Sequence, residues 1–193
     1  MLNLTYEHLK ETNQAIKDIY DVHEVYENKI KLTLMDGSLS EGARVAKAYD
    51  LYQEAVNQSL ELTQKLSDEA NSSIDKLHDD FIGNAELTLQ DAIAIAKEVN
   101  NQTASEQYET LKSSAPARKA VSLYEQTMGR GGINDLVQSL EDVFLDVNRD
   151  KLQESNELKN ASVALEKSFQ ESLQIVFPDF HTAKQIANSR VEE

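Results

Sequence analysis

The sequence contains no cysteine, no tryptophan, and only two prolines and six glycines among its 193 residues. Without cysteine, the chain can form no disulfide, no thiolate metal site and no cysteine nucleophile. All-β and α/β chains need many tight turns, and the shortage of proline and glycine leaves few positions for them. Composition therefore favours a helical protein with few connections.

Positive charge is also scarce, because 19 Lys and Arg residues stand against 34 Asp and Glu residues, which gives a net charge of −15. This balance disfavours binding to nucleic acid or to an anionic membrane, since both need an excess of basic side chains. No apolar run approaches the roughly 20 residues of a membrane span, so no membrane insertion is expected. Residues 1–30 carry charge throughout and lack the apolar core of a signal peptide.

Apolar residues recur at helical spacing over most of the chain, and nothing alternates with period two for long enough to form a strand. We therefore expect an all-α protein, an elongated helical bundle with an N-terminal long helical hairpin and a long C-terminal helix. The predicted organisation is a single domain over residues 1–193. It comprises the hairpin over 5–82, short helices over 84–128, and a long helix plus a short terminal helix over 134–189.

The residues between the first two helices carry strong turn and capping signals. Asp36 and Gly37 form a turn pair, and Ser38 with Glu41 has the spacing of a capping box. Gly42 falls inside the first turn of the second helix, where glycine costs about 1 kcal/mol relative to alanine. We expect close approach of another backbone, that of the first helix, to explain this glycine.

Further along the chain, the same kinds of signal divide the shorter helices. Thr103 and Glu106 form a second capping box, and Pro116 suits the first turn of a helix that ends at Gly129. Asn134 is predicted to cap a long final helix over about 135–176.

The four histidines are scattered, and no pair has the spacing of a metal site. His78 follows Asp75 by three residues, but such a spacing arises readily by chance in an acidic helix. His23 lies on the apolar stripe of the first helix, where a buried, hydrogen-bonded ring is expected and a pH-sensitive contact is the alternative. No local motif indicates a serine or threonine nucleophile or an isolated carboxylate. We therefore expect no cofactor, no metal and no enzymatic activity.

The hairpin resembles the helical hairpin of type VII secretion substrates, namely the WXG-type proteins and the related LXG targeting domains. The segment Met35-Asp36-Gly37 has the spacing of their turn motif, with Met where the LXG domains have Leu. The segment GARVAKAYDLY is similar to the Gly-Ala opening of their second helix. The predicted turn motif of this chain comprises Met35, Gly37, Leu39 and Gly42.

The resemblance implies a non-enzymatic targeting or adaptor domain, which pairs with small helical partner proteins for export of a toxin or effector. The chain would be the targeting portion or a partner protein, cytoplasmic before export and secreted without a cleavable signal peptide. The alternative is a structural protein, either a self-associating coiled coil or a phage scaffold, whose apolar stripes pair within the chain or between copies. The expected partner-binding residues are Leu9, Ile16, Ile19, Tyr26, Tyr49, Tyr52 and Val56.

Overall fold

A computed structural model of the chain describes residues 4–130 and 133–189. These residues contain α-helices and no β-strand, which confirms the predicted all-α class. A 3-10 helix over Leu4–Leu9 comes first. The α-helices that follow are α1 (Gln14–Met35), α2 (Glu41–Ile82), α3 (Leu89–Asn100), α4 (Ala104–Ser113), α5 (Ala115–Met128), α6 (Asn134–Val147), α7 (Arg149–Gln174) and α8 (Phe180–Asn188).

Contacts between residues divide the chain into two compact units. Unit 1 comprises Met1–Ala70 and Glu157–Glu193, and unit 2 comprises Asn71–Asn156. The division falls within α2 and within α7, so each of these helices contributes residues to both units. The single domain over residues 1–193 stays a prediction.

Unit 1 is built on the apolar stripes of α1, the first part of α2 and the later part of α7. Residues three and four apart in a helix lie on one face, so each stripe presents a continuous apolar surface to the other helices. The fully buried large side chains of this core are Ile16, Ile19, Ile30, Leu66, Leu165, Phe169 and Leu173.

Unit 2 packs α3 against α5 and α4 against α6. Its fully buried large side chains are Leu111, Val121, Leu136, Val137 and Val143. Arg118 in α5 joins the ends of two other helices. Its Nε donates to the carbonyl of Phe81, and its Nη1 donates to the carbonyls of Leu111 and Lys112 at 2.9 and 3.2 Å. The last carbonyls of a helix lack intrahelical partners, so one guanidinium satisfies acceptors at the ends of both α2 and α4.

Two predicted helix boundaries are wrong. α1 begins at Gln14 rather than near residue 5, because the Asn13 side chain accepts a hydrogen bond from the backbone N–H of Ile16 at 3.1 Å and caps the helix there. The long final helix is interrupted at Asn148, whose backbone and side-chain N–H groups both donate to the carbonyl of Phe144 at 3.1 Å. α7 then ends at Gln174, shortly before Phe177 and Pro178.

The capping and helix-ending residues predicted for unit 2 are mostly confirmed. Thr103 and Glu106 form the predicted capping box, and Ser114 caps α5 with Pro116 in its first turn. Gly129 ends α5 with φ at +73°, a conformation that glycine adopts readily. The predicted cap at Asn134 is wrong, since Ile133 occupies the cap position of α6 without a side-chain hydrogen bond.

Candidate docking site

The turn between α1 and α2 is held by short side chains. The Asp36 carboxylate accepts hydrogen bonds from the hydroxyl of Ser38 at 2.6 Å and from its backbone N–H at 2.9 Å, and both bonds lower the pKa of Asp36. The Ser40 hydroxyl accepts the N–H of Ala43 at 3.3 Å and caps α2. The predicted capping box of Ser38 with Glu41 is therefore wrong, because Ser38 is bound within the turn.

Gly42 lies in the first turn of α2, and the space beside its Cα is open. A Cβ built at Gly42 meets no atom within 4 Å outside its own helical backbone and chain neighbours. The predicted close approach of another backbone is therefore wrong. Gly42 instead lines a groove at the end of the hairpin.

We call this concavity the hairpin-tip groove. It lies in unit 1, between the end of α1, the start of α2, the connection from α7 to α8, and α8 itself. Its volume is about 390 Å³, which falls within the range of ordinary ligand pockets. Its apolar lining comprises Leu34, Val45, Phe177, Pro178, Ala183 and Ile186.

Polar side chains at the hairpin-tip groove differ in how far their hydrogen bonds are satisfied. The Asp179 carboxylate caps α8 by accepting the hydroxyl and the backbone N–H of Thr182 at 2.6 and 3.1 Å, which lowers its pKa. The Arg44 guanidinium donates from Nη1 to the carbonyl of Leu34 at 3.4 Å, while its Nε is buried without a hydrogen-bond partner. The groove therefore holds one guanidinium, that of Arg44, beside the carboxylates of Glu41 and Asp179 in a mostly apolar lining.

Three large apolar side chains next to this groove in the sequence are strongly exposed. Met35 is 79% exposed, Ile175 is 77% exposed and Leu32 is 70% exposed. The end of the hairpin thus combines exposed apolar side chains with a concave apolar surface.

The structure places the predicted turn motif around the same turn. Met35 is the last residue of α1 and projects into solvent, while Leu39 is half-buried. Gly37 has open space around it, like Gly42. Of the four residues, Gly42 lines the hairpin-tip groove.

The predicted partner-binding residues lie inside unit 1. Five of them are buried in its core, and the other two are half-buried and pack against it. In this fold a partner could reach the five buried residues only by displacing one of the chain's own helices. The buried five are Ile16, Ile19, Tyr26, Tyr49 and Tyr52, and the half-buried two are Leu9 and Val56.

The two tyrosines of α2 are covered by the chain's own C-terminal aromatics. The Phe180 ring centroid lies 4.9 Å from that of Tyr52 and 5.7 Å from that of Tyr49, and Phe177 lies 5.4 Å from Phe180. Gln174 also donates to the Tyr52 hydroxyl at 3.0 Å. Sequence reasoning missed this role of α8, although an aromatic pair on either side of Pro178 was an available signal.

His23 is buried between α1 and α7, as the predicted hydrogen-bonded core histidine. Its Nε2 lies 2.6 Å from the Ser172 hydroxyl, its Nδ1 lies 3.6 Å from a Glu27 carboxylate oxygen, and its ring packs edge-on against Phe169. Burial lowers the pKa of His23 below its ordinary value, and the Glu27 charge acts in the opposite direction.

Serine, histidine and glutamate, the residue types of Ser172, His23 and Glu27, also form the catalytic triads of some hydrolases. Here the serine and the histidine are part of the packed core. Ser172 is 5% exposed and His23 is 6% exposed, so both are packed in the core. The Ser172 hydroxyl donates to the carbonyl of Phe169 at 3.0 Å, so its proton is used in a hydrogen bond within α7. The hydrogen bond between His23 and Ser172 therefore links α1 to α7 within the core.

In the part of the chain that the structure describes, no three His, Cys, Asp or Glu side chains are grouped to hold a metal ion. His78 packs against the Phe144 ring, with 5.5 Å between ring centroids. Among the helices of residues 4–130 and 133–189, none is long and apolar enough to cross a membrane.

Comparison of the chain with protein-family models, with curated proteins and with solved structures finds no match.

Proposed function

We propose that this chain is a non-enzymatic targeting or adaptor domain that pairs with small helical partner proteins for type VII secretion of a toxin or effector. The hairpin resembles LXG and WXG-type domains in the spacing of its turn residues. The pairing surface lies at the end of the hairpin rather than on the stripes of α1 and α2.

One observation carries this proposal. The hairpin of α1 and α2 presents Met35 at its turn with 79% of the side chain exposed, next to a groove with an apolar lining. A methionine exposed to this extent gains little within the chain, and methionine adapts well to the surfaces of varied partners. The same turn carries the Met35-Asp36-Gly37 spacing on which the resemblance rests.

The test is to purify the tagged full chain from its native host and to identify co-purifying proteins by mass spectrometry, together with the mass of the complex. We expect small helical proteins in fixed stoichiometry with the chain. A homo-oligomer with nothing else bound would contradict the proposal and favour the structural alternative.

Matched variants locate the surface in the same experiment. Met35→Asp places a charge on the exposed turn, while Met128→Asp places one on a methionine of unit 2 that is 58% exposed. We expect Met35→Asp to reduce partner recovery and Met128→Asp to leave it unchanged. Equal recovery with both variants would contradict a pairing surface at the hairpin end.

A further inference from the structure

We infer that α8 is a releasable cover, which opens from the rest of unit 1 and uncovers Tyr49 and Tyr52 of α2 while the core of unit 1 stays folded. The inference does not depend on the proposed function, because it concerns contacts within the chain. Four features of α8 support it: its short length, its separation from α7, the kind of contacts that hold it, and the groove along one of its sides.

α8 is short and is separate from the helix before it. It comprises nine residues, Phe180–Asn188, and α7 has already ended at Gln174. Helices shorter than about 12–15 residues are marginal in water by themselves, so α8 depends on its contacts with the rest of unit 1. Pro178, in the connection, lacks the backbone N–H that would continue the helix. α8 therefore separates from unit 1 without unwinding α7.

The contacts that hold α8 are aromatic and apolar. The Phe180 ring centroid lies 4.9 Å from that of Tyr52 and 5.7 Å from that of Tyr49, and Phe177 packs against Phe180 from the connection. Within Phe180–Asn188, Ala183 is buried, and the other side chains are half-buried or exposed. Because alanine buries little surface, Phe180 is the main anchor of α8.

The polar contacts of α8 stay within the helix and its cap. The hydroxyl and the backbone N–H of Thr182 donate to Asp179, and the Gln185 side chain lies 3.1 Å from His181 Nε2. Among the residues that the structure describes in unit 1, no hydrogen bond or ion pair joins Phe180–Asn188 to another helix. Opening of α8 therefore breaks apolar contacts and leaves no polar group of the core without its partner.

The hairpin-tip groove runs along one side of α8. Thr182, Ala183 and Ile186 line it from α8, and Val45 lines it from α2. On this side a concavity of about 390 Å³ separates the helices, and side chains that border a void lose packing contacts there. α8 is thus anchored by its aromatic contacts and is unsupported along the groove.

Opening of α8 uncovers an aromatic face of α2. In the closed structure Tyr49 is 7% exposed and Tyr52 is 4% exposed. Gln174 of α7 donates to the Tyr52 hydroxyl at 3.0 Å, and this bond does not depend on α8. Local openings of this kind need less free energy than global unfolding. α8 is therefore an autoinhibitory contact, which decides whether the two tyrosines are accessible.

Three tyrosines of similar burial allow a test on the wild-type chain. Tyr26 is 4% exposed, and its hydroxyl accepts from Gln58 of α2 at 2.9 Å, so it is buried in unit 1 by other contacts. The full chain is treated with N-acetylimidazole, which acetylates accessible tyrosine hydroxyls, at a low degree of modification. Mass spectrometry gives the rate for each tyrosine, and each rate is divided by that of the same residue in the urea-unfolded chain. We expect Tyr49 and Tyr52 to react at least about tenfold faster than Tyr26.

A matched pair of variants assigns the opening to α8. Lys184→Gly weakens α8 at an exposed position, without removing an atom that covers the tyrosines. We expect it to raise the rates of Tyr49 and Tyr52 about fivefold, as a glycine in a helix interior does to the open population, and to leave Tyr26 unchanged. Lys167→Gly makes the same change at an exposed position of α7 and should leave both rates as in the wild type. Thermal unfolding verifies that each variant is folded.

The same measurement names the results that would overturn the inference. Equal rates for the three tyrosines of the wild type would mean that α8 opens only when all of unit 1 unfolds. A Lys184→Gly variant that raises all three rates alike, or that changes none of them, would contradict a local opening of α8. So would an equal rise of the Tyr49 and Tyr52 rates in Lys167→Gly, since α7 would then control their exposure.

Discussion

His23 places a titratable ring in the core of unit 1, and burial lowers its pKa relative to the unfolded chain. As pH falls through about 6.5, the ordinary pKa of histidine, the unfolded state therefore binds more protons than the folded state does. The stability due to neutral His23 is complete above that pH and is lost as pH falls from there toward the lower pKa of the folded state. We expect the free energy of unfolding, measured by urea titration, to decrease over this range.

The variant His23→Gln isolates this effect, because glutamine cannot titrate but can still bond with Ser172. We expect it to show a smaller decrease in stability between neutral and mildly acidic pH than the wild type. His181→Gln is the control, since His181 is exposed on α8. An unchanged pH dependence in His23→Gln would contradict the assignment of the decrease to His23.

Arg118 illustrates how one side chain can stabilise several elements of unit 2. It donates to three carbonyls and lies over the Phe81 ring, with 4.7 Å from its Cζ to the ring centroid. The single ammonium of Arg118→Lys cannot reproduce this planar set of donors, so at least one of the two part-buried carbonyls, those of Phe81 and Leu111, loses its partner. We expect a loss of about 1–3 kcal/mol in the free energy of unfolding, measured by urea denaturation.

The matched control for this substitution is Arg149→Lys. Arg149 forms one ion pair with Asp146 at 2.9 Å, and its side chain is 75% exposed. Exposed pairs contribute at most about 1 kcal/mol, so this variant should remain close to the wild type. Equal effects of the two substitutions would contradict the role assigned to Arg118.

At the scale of elements, we expect substitution of Gly42 and of Gly129 by alanine to have opposite effects on the stability of α2 and α5. A Cβ would meet nothing within 4 Å at either position, but Gly129 has φ at +73°. We expect Gly42→Ala to stabilise the start of α2 by up to about 1 kcal/mol, and Gly129→Ala to destabilise the end of α5 by about 1 kcal/mol. Thermal unfolding checks both signs, and a loss of stability in Gly42→Ala would indicate a contact inside the chain.

Element types were predictable from the sequence, but some boundaries were not. The stripe of Ile16, Ile19 and Ile30 specifies a helix because its spacing reflects one buried face. The start of α1 and the start of α2 depend on which of several neighbouring polar residues forms the cap. Asn13 and Ser40 do so here, while Ser38 bonds to Asp36 instead, and such local competition is not resolved by spacing alone.

At the scale of the whole molecule, the sequence identified the apolar faces but not the surfaces that cover them. Tyr49 and Tyr52 have the spacing of a partner-binding face, and in the structure the covering side chains are Phe177 and Phe180 of the same chain. An apolar stripe indicates that one face of a helix must be buried, but many different apolar surfaces could cover that face. The hairpin-tip groove was missed for the same reason, since residues 34–45 and residues 177–186, which are far apart in the sequence, both line it.

The apolar stripes of α1 and α7 are buried inside unit 1, and this burial predicts whether the chain self-associates. Because Ile16, Ile19, Phe169 and Leu173 are fully buried within one chain, a second copy is not needed to cover them. We expect the purified full chain to be a monomer by sedimentation equilibrium. Self-repulsion from the net charge of −15 would also oppose association, so the measurement must separate the two causes.

The salt concentration separates the effect of charge repulsion from that of internal burial. At about 1 M salt the Debye length falls to about 3 Å, which screens repulsion between chains while apolar burial persists. If the stripes are satisfied internally, the chain remains monomeric at both low and high salt. A defined oligomer that forms when repulsion is screened would mean that apolar surface is available for pairing between copies, and it would favour a self-associating structural protein over an adaptor that needs a different partner.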